Sequence, residues 1–146
     1  MFHNLFADSA QLSGYLLHFY QILGNCQYYL DKWGEAKGNY QEALMLTNGK
    51  NDLKEKRAIL LTQIGNTTNK LGNLEEAIEI YKENLELHQE IFGEDDLEYA
   101  ATLMNLALLQ EKGKHTKQQI DESIQAFIKC LEICNSSEHE GTSKSR

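Results

Sequence analysis

The stretch Leu61–Leu87, LTQIGNTTNKLGNLEEAIEIYKENLEL, decides how the rest of the chain is read. It predicts two amphipathic helices joined by a tight turn at Lys70-Leu71-Gly72-Asn73. In the first, Leu61, Ile64 and Thr68 fall at i, i+3 and i+7 on one helical face, with Gly65 among them. In the second, Leu74, Ala77, Ile78, Tyr81 and Leu85 share a face in the same way. Gly65 and Ala77 are small enough for two helices to approach closely, and Tyr81 would fill the space beside them. The expected unit is a helical hairpin with its packing residues built in.

The same spacing recurs. From Gly65 the offsets are +12 to Ala77, +16 to Tyr81 and +19 to Asn84. From Gly24 they are +12 to Ala36, +16 to Tyr40 and +19 to Ala43. A third copy starts at Ala107, with Ser123, Phe127 and Cys130 at +16, +20 and +23, which fits if the turn around Lys114–Gln118 holds four extra residues. The three starts are 41 and 42 residues apart. A period of that size predicts a stack of helix pairs.

This small–Ala–aromatic–small pattern resembles the tetratricopeptide repeat from about Leu16 to Ile133, with a period longer than the usual ~34 residues. The long period and the junction Leu87–Ala107, LHQEIFGEDDLEYAATLMNLA, are similar to the long repeats of kinesin light chains. Related long repeats occur in G-protein-signalling modulators with Asn-rich grooves. The chain departs from them at Asp96-Leu97, where His-Pro is usual, and it has no proline at all. The resemblance implies an all-α, right-handed superhelical solenoid of three antiparallel hairpins at about 9–48, 51–92 and 95–134. A single domain would then span 1–134.

Local signals place the remaining elements. Ser9 is read as the N-cap of a helix to about Leu30, buried through Leu12, Tyr15 or Leu16, Phe19, Leu23 and Cys26. Trp33-Gly34 is read as the turn into a second helix, which buries Ala36, Tyr40, Ala43 and Leu44 and stops at Asn48-Gly49. Asp52-Leu-Lys-Glu55 and Asp95-Asp-Leu-Glu98 are read as capping boxes opening the third and fifth helices. The fourth helix runs from about Leu74 to Ile91 and stops at Gly93, and the fifth ends near Gly113. The sixth, about Gln118–Cys134, is expected to bury Ile120, Ile124, Phe127 and Leu131, with Ile128, Cys130 and Ile133 outward. The polar tail 135–146 is expected to be disordered.

Bulk properties narrow the function. A net charge of −8 argues against nucleic acid, which needs clustered Lys and Arg, and against anionic membrane surfaces. No stretch approaches the ~20 apolar residues of a membrane span. The N-terminal MFHNLFADSA lacks the features of a signal peptide, and three scattered cysteines form no disulfide framework. A cytoplasmic location is expected.

Catalysis finds no constellation. Five histidines lie far apart, and no nucleophile motif or HExxH occurs. Cys130 and Cys134, at i and i+4, make at most half a metal site and read as core or interface thiols. No enzymatic activity, cofactor or metal is expected.

The first helix of each hairpin would line the concave side. Asn25, Gln63, Asn66, Asn69 and Asn105 are then expected to form a run of carboxamides along a groove, each with an acceptor and two donors for a peptide backbone. The resemblance implies peptide gripping at Asn25, Asn66 and Asn105. Gln21, Tyr28 and Lys70 would flank that run and select side chains. Chaperone-binding relatives clamp a C-terminal carboxylate with Lys and Arg, but the corresponding slots here hold Gln21, Gln63, Ala101 and Asn105. The expected partner is an extended peptide segment of another protein, bound by an adaptor or scaffold. The alternative is self-assembly into a homo-oligomer through exposed terminal helices, the last hairpin in particular.

Overall fold

The structure, a computed structural model, describes residues 2–113 and 116–143. All secondary structure in them is helical: α1 (Phe2–Tyr29), α2 (Trp33–Met45), one 3-10 turn (Asn51–Leu53), α3 (Lys54–Lys70), α4 (Leu74–Phe92), α5 (Leu97–Lys112) and α6 (Lys117–Ser143). The chain divides into two compact units, Met1–Asn73 and Leu74–Arg146.

In the first unit α1 packs on α2 and α2 on α3. With a three-residue connection, the two helices fold back on each other as a hairpin. Their contact is built on Gly24: a Cβ placed there would lie 2.7–3.1 Å from three ring carbons of Tyr40. Ala36, Tyr40 and Ala43 are buried, as the repeat spacing requires. Buried Leu17 joins Gly24 on the inner face of α1.

Two corrections follow for α1. The helix runs through Ser9, which is no N-cap. The stripe expected to be buried faces outward: Leu12, Tyr15, Leu16, Phe19 and Cys26 are exposed, and Leu23 is half-buried. Close packing selects the face with the smallest residue, because only there can the helix axes approach Tyr40.

The turn also moves. Trp33 is already the first residue of α2, and the reversal is made at Leu30–Lys32. Lys32 N–H donates to Gln27 O at 2.9 Å and Asp31 N–H to Tyr28 O at 3.1 Å, with Asp31 at φ +58°. This pair of bonds is the Schellman closure, normally made by glycine. The same closure ends α3, where Asn73 N–H donates to Thr68 O and Gly72 N–H to Asn69 O, with Gly72 at φ +84°. Gly49 and Gly93 also take positive φ, at the two stops where glycine was expected.

The third helix opens without a capping box. A 3-10 turn leads into Lys54, and no side chain caps the first backbone amides of α3. The fifth is capped one residue later than expected, with Asp96 Oδ2 accepting from Glu98 N–H at 2.7 Å. Either way the acidic side chain meets the positive end of the helix.

In the second unit α4 packs on α5 and α5 on α6. Ala77 and Tyr81 of α4 close a core with Leu106 and Leu109 of α5, flanked by Leu74, Ile78 and Leu85. Thr102 Oγ1 lies 3.1 Å from His88 Nδ1, joining α4 to α5 through a buried polar pair. A second cluster sets Tyr99 and Ala100 of α5 against Cys130 and Ile133 of α6. Cys130 Sγ donates to Ala100 O at 3.2 Å.

The inner face of α6 therefore carries Ser123, Cys130 and Ile133, with Phe127 half-buried. Ile120, Ile124 and Leu131, expected inside, are exposed, while Cys130 and Ile133, expected outside, are buried. Small residues decide the contact again. The helix also continues to Ser143, through most of the segment whose composition predicts disorder. Once a helix is nucleated, each further residue adds a backbone bond, so a polar end can extend it. Residues 144–146 lie outside the described residues, as do Lys114 and His115 in the α5–α6 turn.

Candidate functional site

The amides expected to line a groove come together on the first unit. Gly24 holds α1 close to α2, which places the next residue, Asn25, beside the tip of Tyr40. The Tyr40 hydroxyl donates to Asn25 Oδ1 at 2.7 Å. From α3, Gln63 Nε2 donates to the same oxygen at 2.8 Å. Gln21, one helical turn before Asn25, donates from Nε2 to Gln63 Oε1 at 3.1 Å. Lys56 Nζ reaches Gln21 Oε1 at 3.5 Å and ends the chain of donors.

This arrangement has a direction. Asn25 Oδ1 has both lone pairs engaged, which fixes the amide plane and turns Nδ2 away from Tyr40. Among the described residues no acceptor meets Asn25 Nδ2. Asn25 lines a recess of ≈ 140 Å³ together with Tyr28, Tyr29, Tyr40, Gln63 and Asn66. Three aromatic rings and three carboxamides therefore share one cavity. Tyr28 and Tyr29 meet edge to face at 5.8 Å, with Tyr29 largely exposed at the rim.

Burial, followed by the neighbouring phenols Tyr28 and Tyr29 and the thiol of Cys26, pushes the Tyr40 hydroxyl up to about 12. It stays protonated, and remains a donor to Asn25, across the physiological range.

Not every expected residue joins the recess. Asn69 lies half-buried one turn beyond Asn66 on α3. Lys70 closes that helix with its ammonium 5.9 Å from the centroid of Trp33, a contact with α2. Asn105 sits half-buried on α5, in the second unit. Tyr40, read from its spacing as a packing residue alone, is the anchor of the amide cluster. Lys56 was not singled out either. It also lines a neighbouring recess of ≈ 440 Å³ with Lys50, Asp52, His18 and Leu17.

Comparison with known proteins agrees with the repeat spacing. Residues 56–118 match the tetratricopeptide repeat. The matched segment runs from α3 through α5 and includes Gln63, Gly65, Ala77, Tyr81 and Ala107. Repeats of this kind generally mediate protein–protein interaction. No curated protein matches the chain. Among the described residues no helix is long and apolar enough to cross a membrane, and no three His, Cys, Asp or Glu side chains gather as metal ligands do.

Proposed function

We propose that this chain binds an extended peptide segment of another protein, with Asn25, Gln63 and Asn66 receiving the peptide backbone. It would serve as an adaptor or scaffold. The observation that carries this reading is the Asn25 amide, its oxygen held by Tyr40 and Gln63 while the residue lines the recess. A donor fixed before binding loses little rotamer freedom when a carbonyl arrives. Tyr28 and Tyr29 add amphipathic surface for a side chain next to the gripped peptide bond. The match to an interaction repeat and the absence of a recognisable catalytic motif in the sequence support the same reading. In the long-repeat resemblance Asn66 and Asn105 grip the peptide as Asn25 does; Asn69 would extend the run of carboxamides, and Gln21 and Lys70 would flank it.

The test is a pair of substitutions at one position, read against peptides selected from a displayed library of random 12-mers. Asn25→Asp keeps an oxygen for Tyr40 and Gln63 and removes both N–H donors. It should weaken the selected peptides at least about tenfold while the melting curve stays close to that of the parent. Undiminished binding by a folded Asn25→Asp protein would rule out the proposed role of this amide.

A further inference from the structure

The outward side of α1 has the pattern of a helix made to pair with another helix. Leu12, Phe19 and Cys26 recur every seven residues, and Tyr15, Ile22 and Tyr29 follow them by three. All six are exposed. Apolar side chains at alternating spacings of three and four form the seam of a two-helix coil. The inward contacts of the same helix, Leu17 and Gly24, each lie five residues beyond a seam residue, about 140° around the axis. One helix thus presents a small-residue face to its own unit and a large-residue face to solvent.

We propose that this seam pairs with the same seam of a second copy of the chain, forming a two-fold symmetric dimer through α1. Area is the first argument. Tyr15 and Phe19 are 66% and 58% exposed. At 150–250 Å² per aromatic side chain these two alone offer roughly 200–300 Å², with Tyr29, at the C-terminal end of the seam, left to the peptide recess. Leu12, Leu16, Ile22 and Leu30 are exposed alongside them and raise the total toward the ~800 Å² that each partner buries in a standard stable interface.

Charge is the second argument, and it selects the occupant. The chain carries a net charge of −8, yet residues 2–30 hold a single acid, Asp8, and neither Lys nor Arg. Two copies can therefore bring α1 against α1 without opposing like charges, even though the rest of the molecule repels itself. A basic or acidic partner would find nothing on this seam to recognise. The same patch on both subunits satisfies a two-fold interface by construction. The exposed row on α6 (Ile120, Ile124, Ile128 and Leu131) is smaller, has no aromatic and runs beside Lys117, Asp121 and Glu122.

Sedimentation velocity on the full chain, across a concentration series from micromolar to several hundred micromolar, tests the pairing. The parent should sediment as a dimer that dissociates on dilution. Phe19→Glu combined with Ile22→Glu should raise the dissociation constant by roughly 100-fold. Both positions face solvent in the single chain, so helical content by circular dichroism should be retained. Ile124→Glu on α6 should leave the dimer unchanged. A parent that stays monomeric throughout would overturn the proposal and make a different protein the occupant of the seam. A dimer that survives the α1 substitutions but is lost with Ile124→Glu would overturn it in favour of α6.

Discussion

The Tyr40 hydroxyl donates to Asn25 Oδ1 across 2.7 Å, so one side chain serves both the packing of α1 on α2 and the amide cluster beside it. The ring of Tyr40 fills the space Gly24 leaves, and its oxygen orients the residue next to Gly24. Replacing Tyr40 by Phe keeps the ring and removes the orienting bond. Asn25 Oδ1 still accepts from Gln63, so the cost should be modest, about 1 kcal/mol by urea unfolding.

The same hydroxyl sets an alkaline limit. Its ordinary value of 10.0 is raised to about 12 in the folded chain, chiefly by burial. The folded state holds this proton more tightly than the unfolded state does. Its stabilising contribution is therefore complete below pH 10 and is lost as pH climbs from 10 to about 12. Unfolding free energies measured across that range should fall more steeply for the parent than for Tyr40→Phe. Parallel curves would show that Tyr40 does not carry the effect.

Gly24 and Gly38 separate a packing glycine from an idle one. A Cβ at Gly24 would meet the Tyr40 ring at 2.7 Å, and that ring is pinned by Asn25. Gly24→Ala should destabilise by roughly 1–2 kcal/mol, the overpacking strain exceeding the gain in helix propensity. Gly38, on the exposed face of α2, has nothing within 4 Å of the same position. Gly38→Ala should stabilise by about 1 kcal/mol. Thermal melts of the two variants should move in opposite directions.

Asp31 occupies the left-handed position that Gly72 occupies one repeat later, at φ +58° against +84°. A side chain there costs roughly 1–2 kcal/mol. Asp31→Gly should raise the unfolding free energy by about 1 kcal/mol, less the extra chain entropy that glycine brings to the unfolded state. Gly72→Asp should lower it by a similar amount.

The cysteines should divide in their reactivity. Cys130 is buried with its thiol bonded to Ala100 O, and burial, then the neighbouring Cys134, pushes it up, while Lys129 acts in the opposite direction. Cys26 and Cys134 are exposed. A thiol reagent at mildly alkaline pH, with the protein dilute enough for α1 to be unpaired, should titrate two groups quickly and the third only on unfolding. Fast reaction of all three would contradict the α5–α6 packing.

What could be read from the residues alone follows from how local each signal is. Gly49, Gly72 and Gly93 end helices because a positive φ demands glycine nearly wherever it occurs, so those stops were legible. The α1–α2 turn was not, because Asp31 makes the same closure without announcing it. The spacing Gly24, Ala36, Tyr40, Ala43 correctly named the buried side of α2. Hydrophobic periodicity in α1 and α6 misled, because it marks a face that ought to be covered without saying by what. Small residues set how closely helices approach, and they drew Leu17, Ser123, Cys130 and Ile133 inward instead. For the site, repeat register was enough to bring Asn25, Gln63 and Asn66 together. The bond from Tyr40 that orients Asn25 depends on a distance across two helices, which register does not contain.

The proposed function rests on the Asn25 amide as a peptide donor, and its own resonance reports on that most directly. In a 15N–1H spectrum of side-chain amides, a selected peptide added to the protein should shift the Asn25 Nδ2 pair downfield in step with binding, with smaller shifts at Gln63 and Asn66. Saturation by the peptide with the Asn25 pair unmoved, and shifts confined to residues of α6, would contradict the account.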